Sequence, residues 1–199
     1  MKLTTILSTL LVSSFTAAQD YVQSKPFQLI IQSEDKSIHG KKFVSCHTGA
    51  AIESLCIYGD DGSNFQFNTT KGSPAPIKGY TPSGLLTWNL PLDSQPLSQP
   101  LTFYIDPSTN VALPLFQPTD QGQQVAFDSK NQLVVFSYLD DSKKPPVTDK
   151  VRAIRNWYVC KTNYLGYDYQ TLAWTLGGPG AKPQNPTCIK VDVLRKFKK

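Results

Sequence analysis

The sequence predicts an all-β domain, and three observations carry that expectation. Short runs rich in β-branched and aromatic residues recur along the chain at about 8–12-residue spacing. Clusters of Gly, Pro, Asn, Asp and Ser separate them. No stretch shows the apolar period of an amphipathic helix; Gly49 to Ser54 offers at most a single turn between two strands.

Taken in order, Phe27 to Ile31 is β-branched and apolar. Lys42 to Cys46 and Ser54 to Tyr58 follow, with cysteines in or beside the strands, and Asn64 to Asn68 alternates polar with aromatic. A second group comprises Gly84 to Trp88, Leu101 to Ile105, Val111 to Leu115 and Gln124 to Phe127. A third comprises Leu133 to Ser137, Asn156 to Cys160, Gln170 to Thr175 and Cys188 to Val193, the last with Ile189, Val191 and Val193 on one face. The turns are Gly59 to Ser63, Asp106 to Asn110, Asp128 to Asn131 and Gly177 to Gly180. About twelve short strands in three groups of four follow the logic of a β-trefoil, so a trefoil-like barrel is slightly favoured over a β-sandwich.

Residues 1–18 read as a signal peptide: Lys2 is the positive start, Leu3 to Phe15 the apolar stretch, and Thr16 to Ala18 the small residues before cleavage. The stretch is shorter than the roughly 20 apolar residues of a spanning helix. Residues 19–199 then form one secreted domain, extracellular or associated with a cell wall, with no transmembrane segment expected. In an oxidising route, Cys46, Cys56, Cys160 and Cys188 are disulfides before they are zinc ligands, whose usual close spacing is absent. Four cysteines allow three pairings, and sequence proximity favours Cys46–Cys56 and Cys160–Cys188. Asn68-Thr-Thr70 is an N-glycosylation sequon, whereas Pro186 disqualifies Asn185-Pro-Thr187.

The chain has 199 residues, 20 Lys+Arg against 15 Asp+Glu, and only two His. That charge is too thinly spread for a nucleic-acid stripe, so no nucleic-acid partner is expected. No P-loop, G-x-G-x-x-G or G-x-S-x-G occurs, and Gln19 stands where a copper-dependent polysaccharide oxygenase needs a His. Asp60, Asp61 and Ser63 supply oxygens but lack EF-hand spacing. No cofactor or metal is expected. The only Glu residues are Glu34, in a solvated turn, and Glu53, expected to cap or to pair with Lys42. His47 with Glu53 is the one pair that a small hydrolase or nuclease would use, with His39, Arg152 and Arg155 as helpers that nothing in the sequence brings together.

Binding has more material. Tyr164, Tyr167 and Tyr169, with Asp168 among them, form the densest aromatic cluster. A flat ring beside a hydroxyl acceptor is a surface on which a sugar stacks. The competing role is packing on the sheet to brace Trp174.

Three stretches carry a resemblance: Cys46 to Cys56, Leu85 to Leu90, and the end block of Trp157 to Cys160, Tyr169 to Trp174 and Asn185 to Cys188. They resemble a family of uncharacterised secreted proteins of filamentous ascomycete fungi. Tyr104-Ile-Asp106-Pro-Ser108, the early cysteine pair, a late Trp and the closing Cys are more distantly similar to phialide-development-type fungal cell-wall proteins. The resemblance implies wall association and surface exposure, and carries over no catalytic residue. The functional expectation is therefore a non-catalytic secreted or wall-associated protein that binds glycan, wall or host-surface components, with the His47–Glu53 hydrolase or nuclease as the alternative.

Overall fold

The structure is a computed structural model that describes residues 20–59, 61–148 and 150–198. The expected signal peptide, Gln19 and Asp60 lie outside the described residues. Fifteen strands and no helix are present among those described: β1 (Tyr21–Gln23), β2 (Phe27–Gln32), β3 (Val44–Gly49), β4 (Ile52–Cys56), β5 (Gln66–Thr70), β6 (Gly84–Leu90), β7 (Leu97–Tyr104), β8 (Val111–Phe116), β9 (Gln124–Phe127), β10 (Leu133–Ser137), β11 (Arg152–Ile154), β12 (Trp157–Tyr164), β13 (Tyr167–Thr175), β14 (Ile189–Lys190) and β15 (Asp192–Phe197).

Thirteen of these strands join one antiparallel sheet in the order β11-β10-β9-β6-β7-β8-β4-β13-β12-β14, with β5 on β6, β1 on β5 and β3 on β4. The sheet curls into a half-barrel. The remaining ribbon, β2 with β15, turns Phe27, Leu29, Ile31 and Val193 into the core, all 1% exposed or less. Isolated bridges, Phe27 to Phe65 and Gln132 to Leu194, tie the ribbon to the large sheet.

The trefoil expectation is corrected here. A trefoil needs three equivalent four-strand units, but the neighbours cross the thirds of the chain. Strand β13 from the last third pairs with both β4 and β8, and β4 pairs with β8. The large sheet has open ends at β11 and β14. Even spacing along the sequence reports strand length and turn frequency, not which strands meet. Two elements are too short to read as strands in sequence: β1, three residues all exposed, and β11, three residues of which only Ile154 is buried. Strand β7 runs through Pro100, which reads as loop in sequence. There β7 exchanges partners, pairing with β6 from Leu97 to Pro100 and with β8 from Leu101 to Tyr104, so a missing amide donor is tolerated.

Both disulfides pair as sequence proximity favoured, Cys46–Cys56 across the β3–β4 hairpin and Cys160–Cys188 from β12 to the lead-in of β14. Aromatic side chains fill the core. Phe27 and Phe67 meet Phe127 edge-on, Phe65 stacks on Phe116, and Trp174 lies between Trp157 and Phe103. Trp174 is thus braced from inside the half-barrel rather than by the late tyrosines.

Candidate functional site

The β12–β13 hairpin outruns the core. Its first half is fully buried, while Lys161 to Tyr164 and Tyr167 to Gln170 project beyond. Residues directly opposite in an antiparallel pair share a face. Tyr164 lies opposite Tyr167, Thr162 opposite Tyr169 and Cys160 opposite Thr171, so the three tyrosines share one face with Cys160. Asn163 and Asp168 oppose each other on the other face, where Asn163 Nδ2 donates to Asp168 Oδ1 at 2.9 Å. Asp168 therefore does not stand among the tyrosine rings as their acceptor.

The tyrosine face continues past the hairpin on both sides. Tyr104, at the end of β7, meets Tyr164 edge-on with centroids 4.9 Å apart. Tyr167 lies nearly parallel to Tyr169 at 6.2 Å, and His47 from β3 meets Tyr167 edge-on at 5.6 Å. Tyr104 is 41% and Tyr167 37% exposed; Tyr164 and Tyr169 are half-buried. The result is an aromatic ledge of four tyrosines. Thr162 and Thr171 are hydrogen-bonded on the same face at 2.8 Å. Tyr169 rests on Val44 and the Cys46–Cys56 bridge, and the Cys160–Cys188 bridge packs with Val111, Tyr158 and Ala173. The two disulfides thus clamp the sheet that carries the ledge.

The hairpin turn is Leu165-Gly166, with φ of +49° and +85°. Two positive φ values match the two-residue turns that suit the twist of a hairpin, where Asn-Gly is the usual pair. A leucine in that conformation is strained by roughly 1–2 kcal/mol. Leu165 is 68% exposed, so its burial offsets little of this. Leu165→Asn is expected to raise stability by about 0.5–1 kcal/mol in urea unfolding, from relief of the strained backbone. A fall in stability would show that the Leu165 side chain is held by contacts stronger than this strain.

Beside Tyr104 and Tyr164 a cleft of about 370 Å³ opens between the β7–β8 loop, β12 and the loop before β14. Asp106 shapes one wall: its Oδ1 accepts from Ser108 N at 2.8 Å and Ser108 Oγ at 2.6 Å. Those two bonds, the hydroxyl first, hold its carboxyl below the usual carboxylate range. Asn185 fixes the opposite wall, donating to Lys161 O at 2.9 Å and accepting from Thr187. Burial pushes the Tyr164 phenol up, and the neighbouring Tyr104 adds to it, so Tyr164 stays a neutral donor.

A family model described as a domain of unknown function, DUF7907, matches residues 24–197. The chain belongs to that family. No curated protein and no solved structure matches it. The DUF7907 match runs from just before β2 to the last residue of β15, so the ledge, the cleft and both disulfides lie within it.

The other residues singled out in the sequence of this DUF7907 chain are dispersed. His47 and Glu53 do meet, as register partners across the β3–β4 hairpin, with Nδ1 and Oε1 3.5 Å apart. Glu53 is 7% exposed and accepts from Ser45 Oγ at 3.2 Å, so His47 and Ser45 hold it rather than Lys42. His39 is bound to the main chain of Ser33 in a separate cleft with Glu34 and Asp192. Arg152 pairs with Asp140 and Arg155 with Asp128, near β9 to β11. Ser63 accepts from Ser45 N, and no cluster of metal-ligating side chains is present among the described residues. No described helix is long and apolar enough to cross a membrane. Asn68 sits mid-strand in β5, paired on both sides, and its buried Oδ1 has no hydrogen-bond partner. Tyr104, Asp106 and Lys161 are the site residues that reasoning on the sequence missed. The Tyr-x-Asp-x-Ser run was the one local signal for Tyr104 and Asp106, because it places Asp106 two residues past a strand-end tyrosine; Lys161 had none.

Proposed function

We propose that this domain is a non-catalytic, secreted or wall-associated fungal protein that binds glycan, wall or host-surface components on its tyrosine ledge. The observation that carries the reading is two ring pairs, Tyr104–Tyr164 and Tyr167–Tyr169, set side by side by the Tyr164–Tyr167 register, part-exposed on one face and clamped by two disulfides. A core-bracing role would bury these rings. A binding role wants rigid aromatic faces that stay partly open to solvent, and all four rings are part-exposed. The signal-peptide pattern and the disulfides support an extracellular location. The similarity of the cysteine blocks to secreted ascomycete proteins supports a fungal wall.

Retention on insoluble wall polysaccharide tests the reading. The intact protein is expected to be retained. Tyr167→Ala and Tyr164→Ala are each expected to weaken retention by about tenfold, a loss of roughly 1–2 kcal/mol per ring. His47→Ala is expected to change it less than threefold. Retention that survives both tyrosine changes would remove the ledge from the account.

The His47–Glu53 contact favours a second reading, a small hydrolase or nuclease. A buried carboxylate orienting an exposed imidazole is one half of a general-base pair. The third polar group on the pair is Ser45 Oγ, which donates to Glu53, and the exposed side of His47 meets the ring of Tyr167. Turnover of RNA, DNA or a polysaccharide that His47→Ala abolishes would replace the binding reading.

A further inference from the structure

The ribbon of β2 with β15 turns one face to the core and the other outward. Phe27, Leu29, Ile31 and Val193 point in, so strand alternation puts Gln28, Ile30, Leu194 and Lys196 on the outward face. Gln28 lies opposite Lys196 and Ile30 opposite Leu194. Lys42 joins the same row through its bridge to Ile30. Packing places its side chain as well: a β-carbon at Gly62 would meet Lys42 Cβ at 2.8 Å, Lys42 Cδ at 3.0 Å and Gln28 Nε2 at 3.2 Å. Gln28 Nε2 donates to Gly62 O at 2.9 Å, so the Lys42 stem and the Gln28 amide lie side by side over that glycine. Lys42, Lys196 and Lys198 line a groove of about 440 Å³ on this face with Gln28, Ile30 and Phe197. None of the three lysines forms an ion pair among the described residues. Asp192, further along the same face, accepts from Gln132 Nε2 at 3.1 Å, and Asp61 beside Gly62 is exposed.

The unbalanced positive charge of the groove selects an anion. Spacing selects its form. Lys42 and Lys196 stand two strands and two residues apart, about 12 Å by ordinary sheet dimensions. Two flexible lysines at that spacing serve repeated charges along a chain better than one small ion. A single-stranded nucleic acid also wants an aromatic face for its bases. The ring of Phe197 is already engaged, by Phe27 edge-on at 5.6 Å and by the Arg195 guanidinium at 5.4 Å. A lipid surface wants apolar side chains that enter the headgroup layer, and Ile30 and Leu194 are half-buried between the lysines. We propose that the outward face of the β2–β15 ribbon docks an acidic polysaccharide, with uronate carboxylates of one chain at Lys42 and Lys196. This strip belongs to a different sheet from the tyrosine ledge, and the proposal does not rest on the ledge.

Calorimetric titration of the full chain with a galacturonate oligomer, and with a neutral glucose oligomer of equal length, tests it. The galacturonate oligomer is expected to bind at low salt and to lose about tenfold in affinity between about 20 and about 200 mM salt, as screened charge pairs do. Lys42→Gln and Lys196→Gln alter side chains at the surface, so both are expected to keep the parent's thermal midpoint. Each is expected to weaken galacturonate binding about threefold and the two together about tenfold, while Lys71→Gln, past the end of β5, changes it less than about twofold. Tyr164→Ala and Tyr167→Ala are expected to leave it unchanged. Galacturonate binding that the tyrosine variants lose and the lysine variants keep moves the acidic ligand to the ledge and overturns the ribbon proposal. Absence of binding at low salt, or equal affinity for the neutral oligomer, also overturns it, and neither result touches the retention test of the ledge. Single-stranded RNA and phosphatidylserine vesicles are the competing polyanions. Tighter binding to either one, lost in the double lysine variant, overturns the polysaccharide assignment.

Discussion

Cys160→Ser is expected to cost about 2–5 kcal/mol of stability, read as a lowered midpoint in urea unfolding of the oxidised protein. The bridge joins residues 28 apart, and the chain-entropy model gives about 3.5 kcal/mol for a loop of that length. Further cost comes from the site itself. Cys160 is fully buried among Val111, Tyr158 and Ala173, where a serine hydroxyl would lose its water without gaining a partner. The change also frees the segment that brings Asn185 and Thr187 against Lys161, so the cleft loses a wall and ligand affinity falls with stability. Cys46→Ser opens a shorter loop, of separation 10, inside a hairpin registered by five strand pairs, and is expected to cost less. A Cys160→Ser protein within about 1 kcal/mol of the parent would mean that the strand pairing alone fixes this end of the sheet.

Trp157→Ala is expected to cost about 3–5 kcal/mol, enough to leave a marginal domain largely unfolded. Trp157 is fully buried, meets Trp174 at 4.6 Å and Phe103 at 6.0 Å, and donates from Nε1 to Leu133 O at 2.8 Å. Truncation opens a cavity where β12, β13 and β7 converge and strands a buried carbonyl. Trp157→Phe separates the two effects. It keeps most of the ring volume but leaves the Leu133 carbonyl without its donor, and is expected to cost about 1–3 kcal/mol. Equal losses for the two variants would assign the whole effect to the hydrogen bond and none to packing.

Much of the architecture was legible because strands announce themselves locally. Phe27, Leu29 and Ile31 alternate inward as their period requires. The Asp128 to Asn131 cluster forms its turn with Asn131 at φ +64° and Asp128 Oδ1 accepting from Lys130 and Gln132. What failed was assembly. The trefoil rested on counting runs, whereas the sheet order depends on long-range pairs such as Thr171 with Cys56, which no local pattern encodes. The site divides along the same line. Tyr164, Tyr167 and Tyr169 share a face by strand period and a two-residue turn, and His47 meets Glu53 across a tight hairpin, so both groupings were visible. Tyr104 reaches Tyr164 from 60 positions earlier, and only the curl of the sheet brings it there. Asp168 looked like a member of the cluster because adjacency in sequence is not adjacency on a strand face.

The central claim is that the tyrosine face of the β12–β13 hairpin, with the cleft at its edge, is where this protein meets its ligand. Nuclear magnetic resonance of isotope-labelled protein, titrated with soluble hexose oligomers (β-linked glucose and α-linked mannose), tests it most directly. Shifts are expected in the amides of residues 104–108 and 161–169 and in the ring signals of Tyr104, Tyr164, Tyr167 and Tyr169. Shifts confined to the cleft of Glu34, His39 and Asp192, or to no region at all, would contradict it.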